Sequence, residues 1–198
     1  MDGAQKAAVG LFAAWCVNDL EEWFTLASTT RQTLGRVPSW VPLPEQVRRR
    51  GLSDAHGRLA ITLMGGAFFA ASAAGVVTRG RSPLFRGALL GFGLHGYGHL
   101  AISAAARGYT SGAVSAAVTV IPYWHWARKV LADHDLPDHD RAAVRYALLG
   151  LPLLAGAHAV AYAVLRDRSL GSGQPRHDAT STASDRRLIL RCAPVTKL

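Results

Sequence analysis

The residues best suited to chemistry are Asn18, Glu21 and Glu22, set inside an otherwise apolar N-terminal run, and His95 and His99, set inside a later glycine-rich apolar run. On a helix, Asn18, Glu21 and Glu22 fall at i, i+3 and i+4 and share one face. That face continues through Ala14, Leu11 and Ala7, mostly small residues that let a second helix approach. His95 and His99 have the i, i+4 spacing by which one helix offers two ligands to one ion. Helical bundles build metal centres from carboxylates and imidazoles on facing helices. The expected centre takes Glu21, Glu22, His95 and His99 as ligands, with Asn18, His56 and His158 as further candidates, and this donor set suits Zn, Fe or Mn. Glu21 and Glu22 are the expected catalytic groups. Acids inside a hydrophobic helix are costly, and each needs a function and a partner.

The elements that must position these residues are long and apolar. The chain has 198 residues, 49% of them hydrophobic, and a mean hydropathy of +0.13 that loops and a polar tail dilute. Five segments meet or approach the roughly 20 residues that cross a bilayer: 7–27, 59–78, 87–106, 110–126 and 143–165. Soluble core helices are rarely apolar on every side for so long. The sequence therefore predicts an all-α fold, a polytopic membrane bundle of about five transmembrane helices over residues 1–165. A disordered basic tail is expected over 166–198, which is small, polar and rich in Gly, Ser and Arg.

The net charge of +9 lies in loops and tail rather than along one helix face. Nucleic-acid binding would want a basic stripe on a folded soluble surface; these charges read as topology signals and lipid-headgroup contacts, so the bilayer is the expected partner and nucleic acid is not. With the N-terminus outside, the inner side receives 14 of the 22 Lys and Arg. That favours an N-outside, C-cytoplasmic arrangement, expected in the plasma membrane of a prokaryotic cell. Cys16 and Cys192 are distant in sequence and in expected environment, so no structural disulfide is expected. No cleavable leader precedes the acids, and the first helix serves as the insertion signal.

In this topology Asn18, Glu21 and Glu22 lie near the inner end of the first span. His99 lies near the same end of the third, with His95 one turn deeper. His56, just before the second span, and His158, in the fifth, approach that level too. The competing reading pairs Glu21 with an interfacial arginine, turns Glu22 to water and lets the histidines bond backbone or hydroxyl groups. The loop 133–140, with four aspartates and two histidines, reads as a solvated connection or, less favoured, a weak divalent-ion site. His125, between two tryptophans, reads as interfacial.

The stretch Asn18-Asp19-Leu20-Glu21-Glu22-Trp23 resembles the signature of the HXXEE-motif membrane protein family, with Asn18 where the motif has histidine. His95-Gly-Tyr-Gly-His99 and Tyr109-Thr110-Ser111-Gly112 resemble that family's second region, in which a Tyr-x-Pro-Gly sequence is usual; the proline is absent here. The likeness covers residues 7 to 130. It implies a small multi-helix membrane protein with a polar site, and no established activity. Adjacent glutamates with histidines on other helices also resemble intramembrane CAAX-type proteases, but Trp23-Phe24-Thr25-Leu26 follows the pair and no arginine comes before Arg31, which argues against membership.

Three functions are open to such a chain. The first is a metal-dependent membrane hydrolase or isomerase acting on a lipid-like substrate. Di-iron hydroxylases need more histidines than converge here. The second is a proton-coupled transporter using the same carboxylates and imidazoles as a relay, although no inverted repeat is evident. The third is a non-catalytic scaffold or regulator assembled through its Gly- and Ala-rich faces. The sequence does not fix an oligomeric state.

Overall fold

Helix α1 spans Gly3–Thr33. It starts where the sequence offers a cap: Asp2 accepts from the Gln5 N–H at 2.8 Å, and Gln5 Oε1 accepts from the Asp2 N–H at 3.1 Å. This reciprocal pair satisfies two of the donors that a helix start leaves unpaired. A short helix, α2 (Glu45–Arg50), leads into α3 (Asp54–Val77), which Ser53 caps. Helix α4 (Pro83–Ala106) begins after Ser82 with proline in its first turn. Helix α5 (Ala113–Ser115) passes through a π-helical turn, Ala116–Val120, into α6 (Ile121–Ala132). Helix α7 spans Arg141–Gly171. The computed structural model describes residues 1–34, 45–137 and 140–171, with side chains left out at Gln46 and 166–171. Among the described residues there is no strand.

Close packing fixes the register of the bundle. Helix α3 runs against α1: Gly75 lies beside Ala8, Gly65 beside the Trp15 ring and Gly57 beside Leu26. Each of these glycines lets a partner sit where a Cβ would be. Ser72 ties the same pair together by donating to the Ala8 carbonyl at 2.6 Å. Helix α4 runs parallel to α1. Phe85 meets Gly75 at Ala8's level. Phe92 meets Phe68 at 5.3 Å between ring centroids, and Phe68 meets Trp15 at 5.8 Å. Helix α7 lies along α4, with Gly87 against Tyr146 and Ala143. The core is therefore one continuous stack, built on Leu11, Trp15, Phe85, Leu89 and Phe92.

The expected spans differ from these helices for identifiable reasons. Helices α3 and α7 are long and apolar enough to cross a membrane, over Asp54–Val77 and Arg141–Leu165. Five spans are not borne out on that criterion. Helix α1 carries Asp19, Glu21 and Glu22, and α4 carries two histidines, so neither is apolar throughout. The segment expected at 110–126 is not one regular helix. Pro122 has no N–H and its ring displaces the carbonyl four residues back, and the π turn directly before it absorbs the mismatch. Helix α1 also runs beyond residue 27, α3 starts earlier than residue 59, and α7 continues into what reads as tail. The Arg48–Arg50 run lies on α2, whereas Trp40, the prolines around it, Cys192 and the remaining tail lie outside the described residues.

Candidate metal centre

The two halves of the site are brought to one level by the parallel packing of α1 and α4. Glu22 Oε1 stands 3.0 Å from His99 Nε2 and 3.9 Å from His95 Nε2. The two imidazole nitrogens are themselves 2.8 Å apart. All three donor atoms lie within 4.8 Å of one another. Around a tetrahedral ion with bonds of about 2.0–2.1 Å, neighbouring donors sit roughly 3.3 Å apart; the observed separations fall on either side of that value. A neutral imidazole carries one N–H, so protons alone serve this triangle poorly, whereas a cation satisfies all three lone pairs together. Glu22 and His99 are largely shielded, while the His95 side chain is 47% exposed. Three protein ligands leave coordination positions for water or substrate.

Asn18, completely buried, orients the carboxylate. Its amide donates to Glu22 Oε1 at 3.1 Å and, at 3.4 Å, to Asp19. Its own oxygen accepts from the Ser115 hydroxyl at 3.2 Å. Asn18 thus acts beside the donor triangle and is not one of its corners.

Glu21 does not join the triangle. One of its oxygens accepts from the Tyr109 hydroxyl at 2.7 Å and the Val114 N–H at 3.3 Å; the other accepts from the Ser115 N–H at 2.6 Å. It holds the segment between α4 and α5 onto α1, and the start of α5 supplies N–H groups that no helix bond would use. The interfacial arginine of the competing reading is not its partner. Thr25 and Ser111 make a second tie, 2.7 Å between hydroxyls. The effect is to press Gly112 against the His99 ring. Gly112 has φ +79°, and a Cβ there would lie 2.5 Å from His99 Cε1. The position requires a left-handed residue without a side chain, a demand that only glycine meets at little cost.

His56 and His158 sit away from the triangle and pair with each other, Nε2 to Nδ1 at 2.9 Å, with rings nearly stacked at 5.2 Å. His56 is on the first turn of α3 rather than before it. His158 shares a cavity of about 260 Å³ with Asp19, Glu22 and His95. His125 is exposed and meets the Tyr97 hydroxyl at 3.0 Å. Of the acidic loop, Asp140 has a structural role. It caps α7 by accepting from the Ala143 N–H at 2.7 Å, and it pairs with buried Arg86 at 2.8 Å. His139 lies outside the described residues.

A family described as proteins of unknown function with an HXXEE motif matches residues 9–127. The chain belongs to the HXXEE-motif family. The matched region holds every corner of the triangle, the Tyr109–Gly112 segment and the π turn. In this HXXEE-family protein the motif reads Asn18-x-x-Glu21-Glu22, and its two glutamates do different things. Glu22 faces the histidines, and Glu21 fastens the connecting segment. No curated protein and no solved structure matches the chain. Sequence reasoning left out Asp19, Tyr109, Ser111 and Ser115. Asp19 was hidden because it lies one step off the face shared by Asn18 and Glu22. The other three could have been suspected from the polar cluster Tyr109-Thr110-Ser111 at the entry to a hydrophobic helix.

Proposed function

We propose that this protein is a membrane-embedded, metal-dependent hydrolase or isomerase acting on a lipid-like substrate. The observation that carries the reading is the convergence of Glu22, His95 and His99 beside a cavity whose polar lining, Tyr146 apart, is gathered at that end in Asp19, Glu22, His95 and His158. Glu22 Oε1, His95 Nε2 and His99 Nε2 would hold a divalent ion of the Zn, Fe or Mn type. Such an ion would polarise a carbonyl or bring a bound water towards a neutral pKa. Asn18 keeps the Glu22 carboxylate aimed at the histidines. Asp19, whose carboxylate also lines the cavity, is placed to accept a proton from a reacting water or substrate carbon. Apolar walls exclude bulk water and strengthen each of these polar interactions.

Membrane embedding rests on α7 above all. Only 11% of its apolar stretch is buried within the protein, leaving Leu148, Leu149, Leu151, Leu153 and Val160 exposed. A face of that size needs a covering, and lipid chains provide one without any polar group to satisfy.

Elemental analysis of the purified protein tests the reading. Stoichiometric Zn, Fe or Mn is expected in the wild type, with loss in Glu22→Gln and in His99→Ala. A metal-free wild type that remains metal-free after incubation with each ion would overturn it. A proton flux through metal-free liposomes would favour transport instead.

A further inference from the structure

The cavity beside the metal centre carries its carboxylates and imidazoles at one end only, and the helix register says which end. Asp19 and Glu22 on α1, His95 on α4 and His158 on α7 lie at the level where α3 begins, since His158 meets His56 on the first turn of α3. From there the cavity runs along Ile61, Met64 and Phe68 of α3 and Gly91 and Gly87 of α4 to Leu84, a course apolar except for Tyr146 beside Gly87. Its volume is about 260 Å³. An apolar cavity of about 150 Å³ accommodates benzene, with its six carbons; by proportion this one takes on the order of ten carbons. That is one chain, not two.

We infer that the cavity binds a single-chain amphiphile with an uncharged head, its chain along α3 and α4 and its head group among Asp19, Glu22 and His95. Without an ion, the two carboxylates repel a carboxylate or phosphate head; with a divalent ion on Glu22 their two negative charges balance it, so an anionic head gains no net attraction and still loses its hydration. A neutral ester or amide carbonyl suits the same groups: it can accept a hydrogen bond from an imidazole N–H, and it presents the reacting atom at the metal centre. Carbons beyond the tenth would leave through the side lined by Leu149, Leu151 and Leu153 of α7, which are also exposed on the outside of the bundle. Burial of the chain's methylenes supplies the affinity. The inference deepens the enzymatic reading and rests on it for the reacting end, while the cavity makes the binding claim independently.

The test uses the full chain in phosphatidylcholine nanodiscs, with binding read by native mass spectrometry and metal content measured on the same samples. The probes are monodecanoyl glycerol, decanoate and additional dioleoyl phosphatidylcholine. Monodecanoyl glycerol is expected to bind saturably, one per chain, and about 10-fold or more tighter than decanoate at neutral pH. Gly91→Leu is the blocking variant. A Cβ at Gly91 makes ordinary van der Waals contact with Ala147 at 3.8–3.9 Å, and Gly91 lines the cavity, so the larger side chain takes up cavity space; thermal unfolding beside wild type checks that the variant folds. It should reduce binding at least 10-fold and leave the metal content of the wild type unchanged. Non-saturable binding, equal affinity for decanoate, displacement by the two-chain lipid, or full binding in a folded Gly91→Leu would each overturn the inference. Saturable binding by a protein that takes up no metal would sink the enzymatic reading and leave this one standing.

Discussion

Gly112→Ala is the substitution that most directly probes how the connecting segment shapes the metal centre. The residue has φ +79°, and an L-residue in the left-handed region costs about 1–2 kcal/mol. Its new Cβ would lie 2.5 Å from His99 Cε1, whereas carbons pack at about 3.5–4.0 Å. The ring must therefore retreat by roughly 1 Å, or the segment must lift away from α1. Overpacking of this kind costs typically about 1–3 kcal/mol, so the total loss should be about 2–5 kcal/mol. Lifting is resisted by the three hydrogen bonds on Glu21 and the Thr25–Ser111 contact, so the ring is expected to yield. Metal–ligand bonds hold within about 0.2 Å, and a 1 Å retreat takes His99 out of range. Thermal unfolding in detergent and metal affinity by chelator competition read the two effects separately. Gly98→Ala is the control: nothing lies within 4 Å of its Cβ, and in a helix alanine is favoured over glycine by up to about 1 kcal/mol. Wild-type metal affinity in Gly112→Ala, together with full stability, would refute the packing argument.

Two further outcomes follow from the different partners of the acidic groups. Glu21→Gln should keep the metal, because its carboxylate is taken up by Tyr109, Val114 and Ser115 rather than by the histidines. It should still destabilise the protein by about 1–3 kcal/mol by weakening charge-assisted bonds to the 109–115 segment; metal content and unfolding midpoint measured together check both halves, and metal loss in a folded variant would refute the assignment. Asp140 gives a pH dependence. The Ala143 N–H, and then Arg86, hold its carboxyl below the ordinary value of 3.8. A depressed carboxyl stabilises the fold in full above its unfolded value and loses that contribution as pH falls through the folded one. The midpoint difference between wild type and Asp140→Asn should therefore be constant from pH 7 to about 5 and shrink below about 4. A difference that persisted unchanged at pH 3 would refute the pairing.

What could be read from the sequence was set by period and by chemistry. The Asn18, Glu21, Glu22 spacing and the His95, His99 spacing are local, and a helix converts local spacing directly into a shared face. Placing Glu22 opposite the histidines also needed only the parallel course of α1 and α4, which alternate apolar helices supply. Separating Glu21 from Glu22 needed something else: adjacent residues point about 100° apart on a helix, so only one of them can face α4. Which one does depends on the segment 107–112, whose conformation is fixed by contacts with α1 that no local pattern announces. The pairing of His56 with His158 is likewise a contact between distant helices, 102 residues apart. The π turn lies within the expected span 110–126, and Pro122 is the one local sign of that break, which the expected span ran through.

The polar residues of the site also explain why so few of the helices read as spans. Asp19, Glu21 and Glu22 on α1 could not enter hydrocarbon alone without large cost. Inside the bundle each has a partner: Asn18 for Asp19, the 109–115 segment for Glu21, the two histidines for Glu22. The partners of Glu21 and Glu22 arrive with α4 and α5, so α1 becomes compatible with a membrane only once those elements have packed on it. Helices α3 and α7 need no such help. Among the described residues, helices α3 and α7 are the two long and apolar enough to cross a membrane by themselves, whereas the acid-bearing helix packs against α3, α4 and α6 rather than against α7. The residues that make α1 a poor span thereby include Glu22, which faces the histidines, and the fold and the Glu22–His95–His99 cluster are two consequences of the same burial.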